Sequence, residues 1–89
     1  MESTATIHID SGAASALRSG GVSLLAAGIT SIDSTFERRD AVEVIDPTGE
    51  VVAKGLARIA SEALDRGEGG VVVHVDDMVV LAEPPIEVI

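Results

Sequence analysis

The sequence has no cysteine, no tryptophan and no tyrosine, a single phenylalanine (Phe36) and a single lysine (Lys54). Without cysteine there is no disulfide framework, thiol nucleophile or cysteine-based zinc site. With one aromatic ring there is no platform for stacking nucleic-acid bases. The core must therefore come from Val, Ile, Leu and Ala, which suits short, closely packed strands. Long apolar runs are also missing. The run at 78–82 is typical and far too short to span a bilayer. Met1 is not followed by the basic and apolar regions of a secretory signal. These absences predict a cytoplasmic domain.

What is present fits one small domain. Of 89 residues, 46% are apolar. A chain of this size buries only about 60–65% of the surface its unfolded form exposes. Acidic residues number 15 against six basic ones, for a formal net charge of −9. A field of that sign repels phosphate backbones and anionic lipids. Surface solvation and adaptation to a salty cytoplasm both account for this acidity.

Periodicity predicts the elements. Residues 6–9 alternate and read as a strand. Asp10 or Ser11 caps a short helix over 13–18, with Ala13, Ala16 and Leu17 on its apolar face, and Gly20 and Gly21 end it. The apolar run 22–29 reads as a strand interrupted by Gly28, a sign of a bulge or a close backbone approach. Strand continues over 29–33, and 34–40 is a polar turn. Residues 41–45 and 51–57 form a hairpin around Asp46-Pro47-Thr48-Gly49, where proline sets φ and glycine closes the turn. Ser61 caps a second short helix through Asp65. A loop at 67–70, a strand over 71–75, a kink at Asp76-Asp77 and a strand over 78–81 follow. Pro84-Pro85 stops regular structure. The expectation is a mainly β domain with two short helices, in β-α-β-β-β-β-α-β order, over residues 1–83, with a tail at 84–89.

Several motifs stand in sequence. They are Asp10-Ser11-Gly12-Ala13, Ala16-Leu17, Gly20, Ser23-Leu24-Leu25-Ala26-Ala27-Gly28-Ile29, Phe36-Glu37-Arg38-Arg39-Asp40-Ala41-Val42, Gly49, Ala53-Lys54-Gly55-Leu56, Ser61-Glu62 and Val73-His74-Val75-Asp76-Asp77-Met78-Val79. In this order and spacing, over roughly residues 6–81, the chain resembles the PUA domain at the C-terminus of many glutamate 5-kinases. The resemblance implies a PUA-like pseudo-barrel. It also implies a parent enzyme that phosphorylates glutamate with ATP on the way to proline, through a kinase domain absent from this sequence. Glycine is usual in that family where this chain has Ser34 and Arg39, and the stretch between Leu64 and Val71 is shorter. With Arg39 in place of glycine, the turn before Asp40 is expected to adopt a conformation that other residues tolerate.

No catalytic residue, cofactor or metal is expected in the chain itself. The glycines at 67, 69 and 70 lack the Lys-Ser/Thr of a phosphate loop. No serine lies in Gly-x-Ser-x-Gly. His74, Asp76 and Asp77 give too few ligands for a stable metal site. By resemblance, PUA domains of RNA-modifying enzymes hold RNA with the first helix and the glycine-containing strand after it, which maps to Arg18, Ser23 and Gly28. Arg38 and Arg39 are the one adjacent basic pair, and the flanking Glu37 and Asp40 suggest a locally paired surface turn. The expected partner is the parent's own kinase domain or another subunit, contacted through an apolar strip such as Leu24, Leu25 and Ile29. The alternative is an RNA-binding PUA domain, of a tRNA-modifying enzyme or free-standing, with RNA as a partner that the charge disfavours.

Overall fold

The computed structural model describes residues 5–67 and 69–81. The tail expected at 84–89 lies outside the described residues. Seven strands and two helices are described: β1 (Ala5–Ile9), α1 (Ser11–Ser19), β2 (Leu24–Leu25), β3 (Ile29–Ile32), β4 (Ala41–Ile45), β5 (Val51–Leu56), α2 (Ser61–Asp65), β6 (Val71–Val73) and β7 (Met78–Val80). They form a five-stranded sheet in the order β3-β1-β4-β5-β7 and a two-stranded sheet of β2 and β6. The expected mainly β fold with two short helices is the fold observed, with the final strand region split into β6 and β7 by a 3-10 turn over Val75–Asp77.

Alternation decides which face of each strand is buried. Ala5, Ile7 and Ile9 of β1 point into the core, while Thr6 and His8 point outward. Val42 and Val44 of β4 point the same way, and β1 runs parallel to β4 at the centre of the sheet. In β5 the consecutive Val52 and Ala53 are both fully buried. A register shift explains this. Val44 pairs with Ala53 and Ile45 with Val51, which leaves Val52 as the extra residue of a bulge. In β4 itself the alternation holds to the end of the strand, with Ile45 half-buried after the buried Val44.

The helix α1 is capped as expected at its start. Asp10 Oδ1 accepts the Ala13 N–H at 2.7 Å, and Gly20, at φ +87°, closes the other end. Its core face is turned from the expected one. Ala14 and Leu17 are buried, whereas Ala16 is exposed. An i, i+3 pair suffices for so short a helix lying across a sheet.

The expected strand over 22–29 is only partly strand. Leu24–Leu25 pairs with β6, and Ala26–Gly28 then forms a 3-10 turn. Gly28 answers to packing, since a Cβ there would lie 2.6 Å from Ala13 Cβ. The chain passes directly beneath α1, and only glycine allows that approach.

Two other expectations are corrected. Ser61 does not cap α2; Ala60 holds the N-cap position. The Ser61 hydroxyl instead accepts the Phe36 N–H at 3.0 Å and donates to the Phe36 carbonyl at 3.3 Å, tying the one aromatic residue to α2. Arg39 takes no ordinary turn conformation. It has φ +79°, and among the described residues it is the one non-glycine with positive φ. Its N–H donates to the Ala57 carbonyl at 2.7 Å and the Ala57 N–H returns to Asp40 at 2.9 Å. This pairing of turn and strand end holds the backbone where glycine would sit most easily.

Candidate functional site

The residues singled out from the sequence fall in three places: Ser23 and Gly28 line one cavity, Arg38 and Arg39 another, and Arg18 a third. Arg18 leaves the last turn of α1 towards the hairpin turn. Its Nη2 donates to Asp46 Oδ2 at 2.8 Å and lies 3.6 Å from Glu50 Oε1. Asp46 is buried. Its Oδ1 accepts the Thr48 hydroxyl at 2.6 Å, the Thr48 N–H at 2.9 Å and the Glu50 N–H at 3.0 Å. The Thr48 hydroxyl above all, with Arg18 and these backbone donors, outweighs burial and holds the carboxyl well below the usual carboxylate range. Arg18 is thus part of a structural tie.

Ser23 is also structural. Its hydroxyl accepts the Val75 N–H at 2.8 Å and joins β2 to the turn after β6. Gly28 lies under Ala13, and its carbonyl accepts the Asp10 N–H at 3.0 Å. The space left by its missing side chain is taken by the helix.

What these elements build is an apolar groove. One cavity of about 290 Å³ lies along α1 and β2, between Gly12, Ala13, Ala16, Leu25 and Ala27. An adjoining cavity of about 650 Å³ continues between β3 and the end of α2, lined by Ile29, Ile32 and Leu64. Leu25 and Ala27 border both. Of the expected apolar strip, Leu24 belongs to the core, Ile29 is half-buried and Leu25 is 51% exposed. The charged lining residues are Asp10 and Asp65; among the described residues, no Lys, Arg or His lines either cavity.

Arg38 and Arg39 lie elsewhere. They line a cavity of about 340 Å³ with Leu56, Ala57, Arg58 and Asp77. Sequence reasoning missed Arg58. It comes to this place because its N–H donates to the Val72 carbonyl at 2.6 Å, a long-range pairing with no local signal. The expected local pairing with Glu37 and Asp40 does not form. The Asp40 carboxylate accepts the Glu37 N–H at 2.8 Å instead, closing the turn on itself.

The other candidate cluster is also used locally. His74 Nδ1 accepts the Asp76 N–H at 3.0 Å, and Asp77 faces Arg58 at 3.8 Å. His8 lies apart, bound to Asp33 at 2.9 Å. Among the described residues no three His, Asp or Glu side chains converge, and no helix is long and apolar enough to cross a membrane.

Comparison with known proteins places this architecture. The profile of the PUA domain family matches residues 5–79. A glutamate 5-kinase of Desulfitobacterium hafniense is 42% identical over 91% of this chain and 26% of its own length. The chain spans about a quarter or less of the length of such kinases. Among solved structures, a PUA domain from Aeropyrum pernix in a tartrate complex is 28% identical, with a TM-score of 0.72 over 81% of this chain and 41% of its own. A chain of an H/ACA ribonucleoprotein bound to a substrate RNA is 26% identical, with a TM-score of 0.74 over 83% of this chain and 23% of its own.

Proposed function

The chain belongs to the PUA domain family, and on that premise we propose that it is the non-catalytic interaction domain of a glutamate 5-kinase. In this reading it docks through its apolar groove on the kinase domain or on another subunit. The parent would phosphorylate glutamate with ATP on the way to proline, and the groove contact would bias its assembly or regulation.

One observation carries the reading: the face built by α1 and β2 is apolar and lined by no cation among the described residues. The only basic side chain of α1, Arg18, turns to Asp46 instead. RNA affinity depends on Lys and Arg neutralising phosphates. A face flanked by Asp10 and Asp65, on a chain of net charge −9, lacks that term. Leu25, half-exposed between two cavities, instead supplies apolar area of the kind buried at the centre of protein interfaces. The likeness to a chain of an RNA-bound H/ACA ribonucleoprotein supports the second reading, RNA binding.

Calorimetric titration separates the two. The chain is titrated at low salt with tRNA, and with a glutamate 5-kinase catalytic domain prepared without its own PUA domain. The expected result is binding to the kinase domain that Leu25→Asp abolishes, and no heat with tRNA. Salt-sensitive tRNA binding that leaves the kinase domain unbound would overturn the interaction reading.

A further inference from the structure

The groove leaves one cluster unused. Three of the six basic residues of a chain with net charge −9, namely Arg38, Arg39 and Arg58, line the single cavity of about 340 Å³ at the end of β5. It shares no residue with the groove. Among the described residues, the guanidinium groups of Arg38 and Arg39 have no ion-pair or hydrogen-bond partner. Arg58 has only Asp77, at a loose 3.8 Å. Arginines in an acidic protein are ordinarily drawn into ion pairs, as Arg18 is. Here Asp40, next in sequence to Arg39, closes its own turn instead.

The mounting is fixed as well. Arg39 is held at φ +79° by the two backbone hydrogen bonds between its turn and Ala57. Arg58 is held by its bond to Val72. A non-glycine residue kept in the left-handed region marks a position that the surrounding structure overdetermines, a common trait of ligand clamps.

We propose that Arg38, Arg39 and Arg58 form a binding site for a small dianion, a phosphate monoester or a dicarboxylate. The chemistry sets the class. Three guanidiniums and one carboxylate leave a formal +2 at the cavity, which a dianion neutralises. The planar fork of arginine matches the paired oxygens of carboxylate and phosphate. The volume falls at the lower end of the range for small-ligand pockets. The distant carboxylates of the chain do not forbid entry, because at physiological salt charges beyond about 8 Å are largely screened. On binding, Arg58 exchanges its loose contact with Asp77 for a ligand oxygen, so Asp77 acts as a weak internal competitor.

Amide chemical-shift titration of the full chain tests this, with sodium phosphate and sodium succinate as probes and sodium chloride at matched ionic strength as the control. The expected result is saturable shifts confined to residues 37–40, 56–58 and 76–78, with either probe or both, and none with chloride. The probe that saturates first identifies phosphate or carboxylate as the preferred oxyanion. Arg58→Ala weakens binding about tenfold, the loss of one charge-assisted hydrogen bond. Asp77→Asn strengthens it by removing the competitor, a gain that mere damage to the fold would not produce. Shifts that match those with chloride, or that persist unchanged in Arg58→Ala, would overturn the proposal. So would a single-stranded RNA that shifts the same amides at far lower concentration than either probe, since the site would then be one for a polynucleotide backbone.

Discussion

Arg18 and Asp46, 28 residues apart, meet at 2.8 Å and bind the end of the first helix to the turn of the central hairpin. The contact is one arm of a fully satisfied carboxylate, because the other oxygen of Asp46 takes three donors from Thr48 and Glu50. The same aspartate therefore closes its own turn and fixes the helix against it. The one arginine that the family resemblance assigns to RNA is thereby committed to the fold.

The pH dependence of stability should follow from this carboxyl. Its acidity is strengthened in the folded chain, so its folded pKa lies below its unfolded value of about 3.9. The stability it contributes is fully present above that value, and is lost as pH falls towards the lowered folded pKa. Asp46→Asn keeps an acceptor for Thr48 but turns an amide donor towards Arg18. The variant should melt at lower temperature than the parent at pH 7. The gap should narrow in melts taken stepwise below about pH 4. Using the difference between the two chains removes the general relief of acidic self-repulsion, which both share. A gap that is constant across pH would show that Asp46 is not the group.

Two glycines should respond differently to a single added methyl. At Gly28 the new Cβ would meet only Ala13, its Cβ at 2.6 Å and its Cα at an ordinary 3.9 Å, so Gly28→Ala should cost about 1–3 kcal/mol by overpacking. Adding Ala13→Gly should recover part of that loss, because the clash has one partner; this coupling appears in a double-mutant cycle. At Gly55 the Cβ would meet the Asp77 carbonyl oxygen at 2.6 Å, Val73 Cγ1 at 2.7 Å and Met78 Cα at 3.1 Å. Two of these are backbone atoms, so no one substitution relieves Gly55→Ala, and it should cost at least as much as Gly28→Ala. Urea denaturation of the four variants checks both statements. A Gly28→Ala loss that Ala13→Gly does not reduce, or a Gly55→Ala loss well below that of Gly28→Ala, would contradict the packing described.

Much of this was legible in the sequence where local chemistry decides. The turn at 46–49 follows from proline and glycine placement, and Asp10 announces the first helix. The ordered motifs carry the fold. What escaped was set by partners distant in sequence. The hydroxyl of Ser61 is taken by Phe36, 25 residues away, which overrides its capping preference. The buried face of α1 is chosen by the sheet, so Ala14 replaced Ala16. Gly28 reads as a bulge or a close backbone approach, and the sequence cannot show that the approach is to Ala13. Arg58 gave no motif at all. It joins Arg38 and Arg39 only through the pairing of strand ends, and so the candidate anion site was the least legible part of the molecule.

Arg39 should separate stability from binding. Its φ of +79° places a Cβ against the following carbonyl, which costs an L-residue roughly 1–2 kcal/mol. Arg39→Gly removes that strain but frees the unfolded chain, which returns about 0.4–1 kcal/mol. The expected net is a stabilisation of about 0.5–1 kcal/mol, or a rise of roughly 2–8 °C in melting temperature for a domain of this size. Arg39→Ala keeps the Cβ and its strain, so it should melt close to the parent. Both variants lack the guanidinium, so both should bind phosphate or succinate more weakly, and to the same degree. If Arg39→Gly melted below the parent, the side chain would be shown to stabilise the turn through packing that outweighs its strain. If it melted higher while still binding as the parent does, Arg39 would be no part of the anion site, and the strained turn would need an explanation outside ligand binding. The expected pattern, higher melting with weaker binding, would mean that the arginine is kept at this position at a cost in stability, for the charge it places beside Arg38 and Arg58.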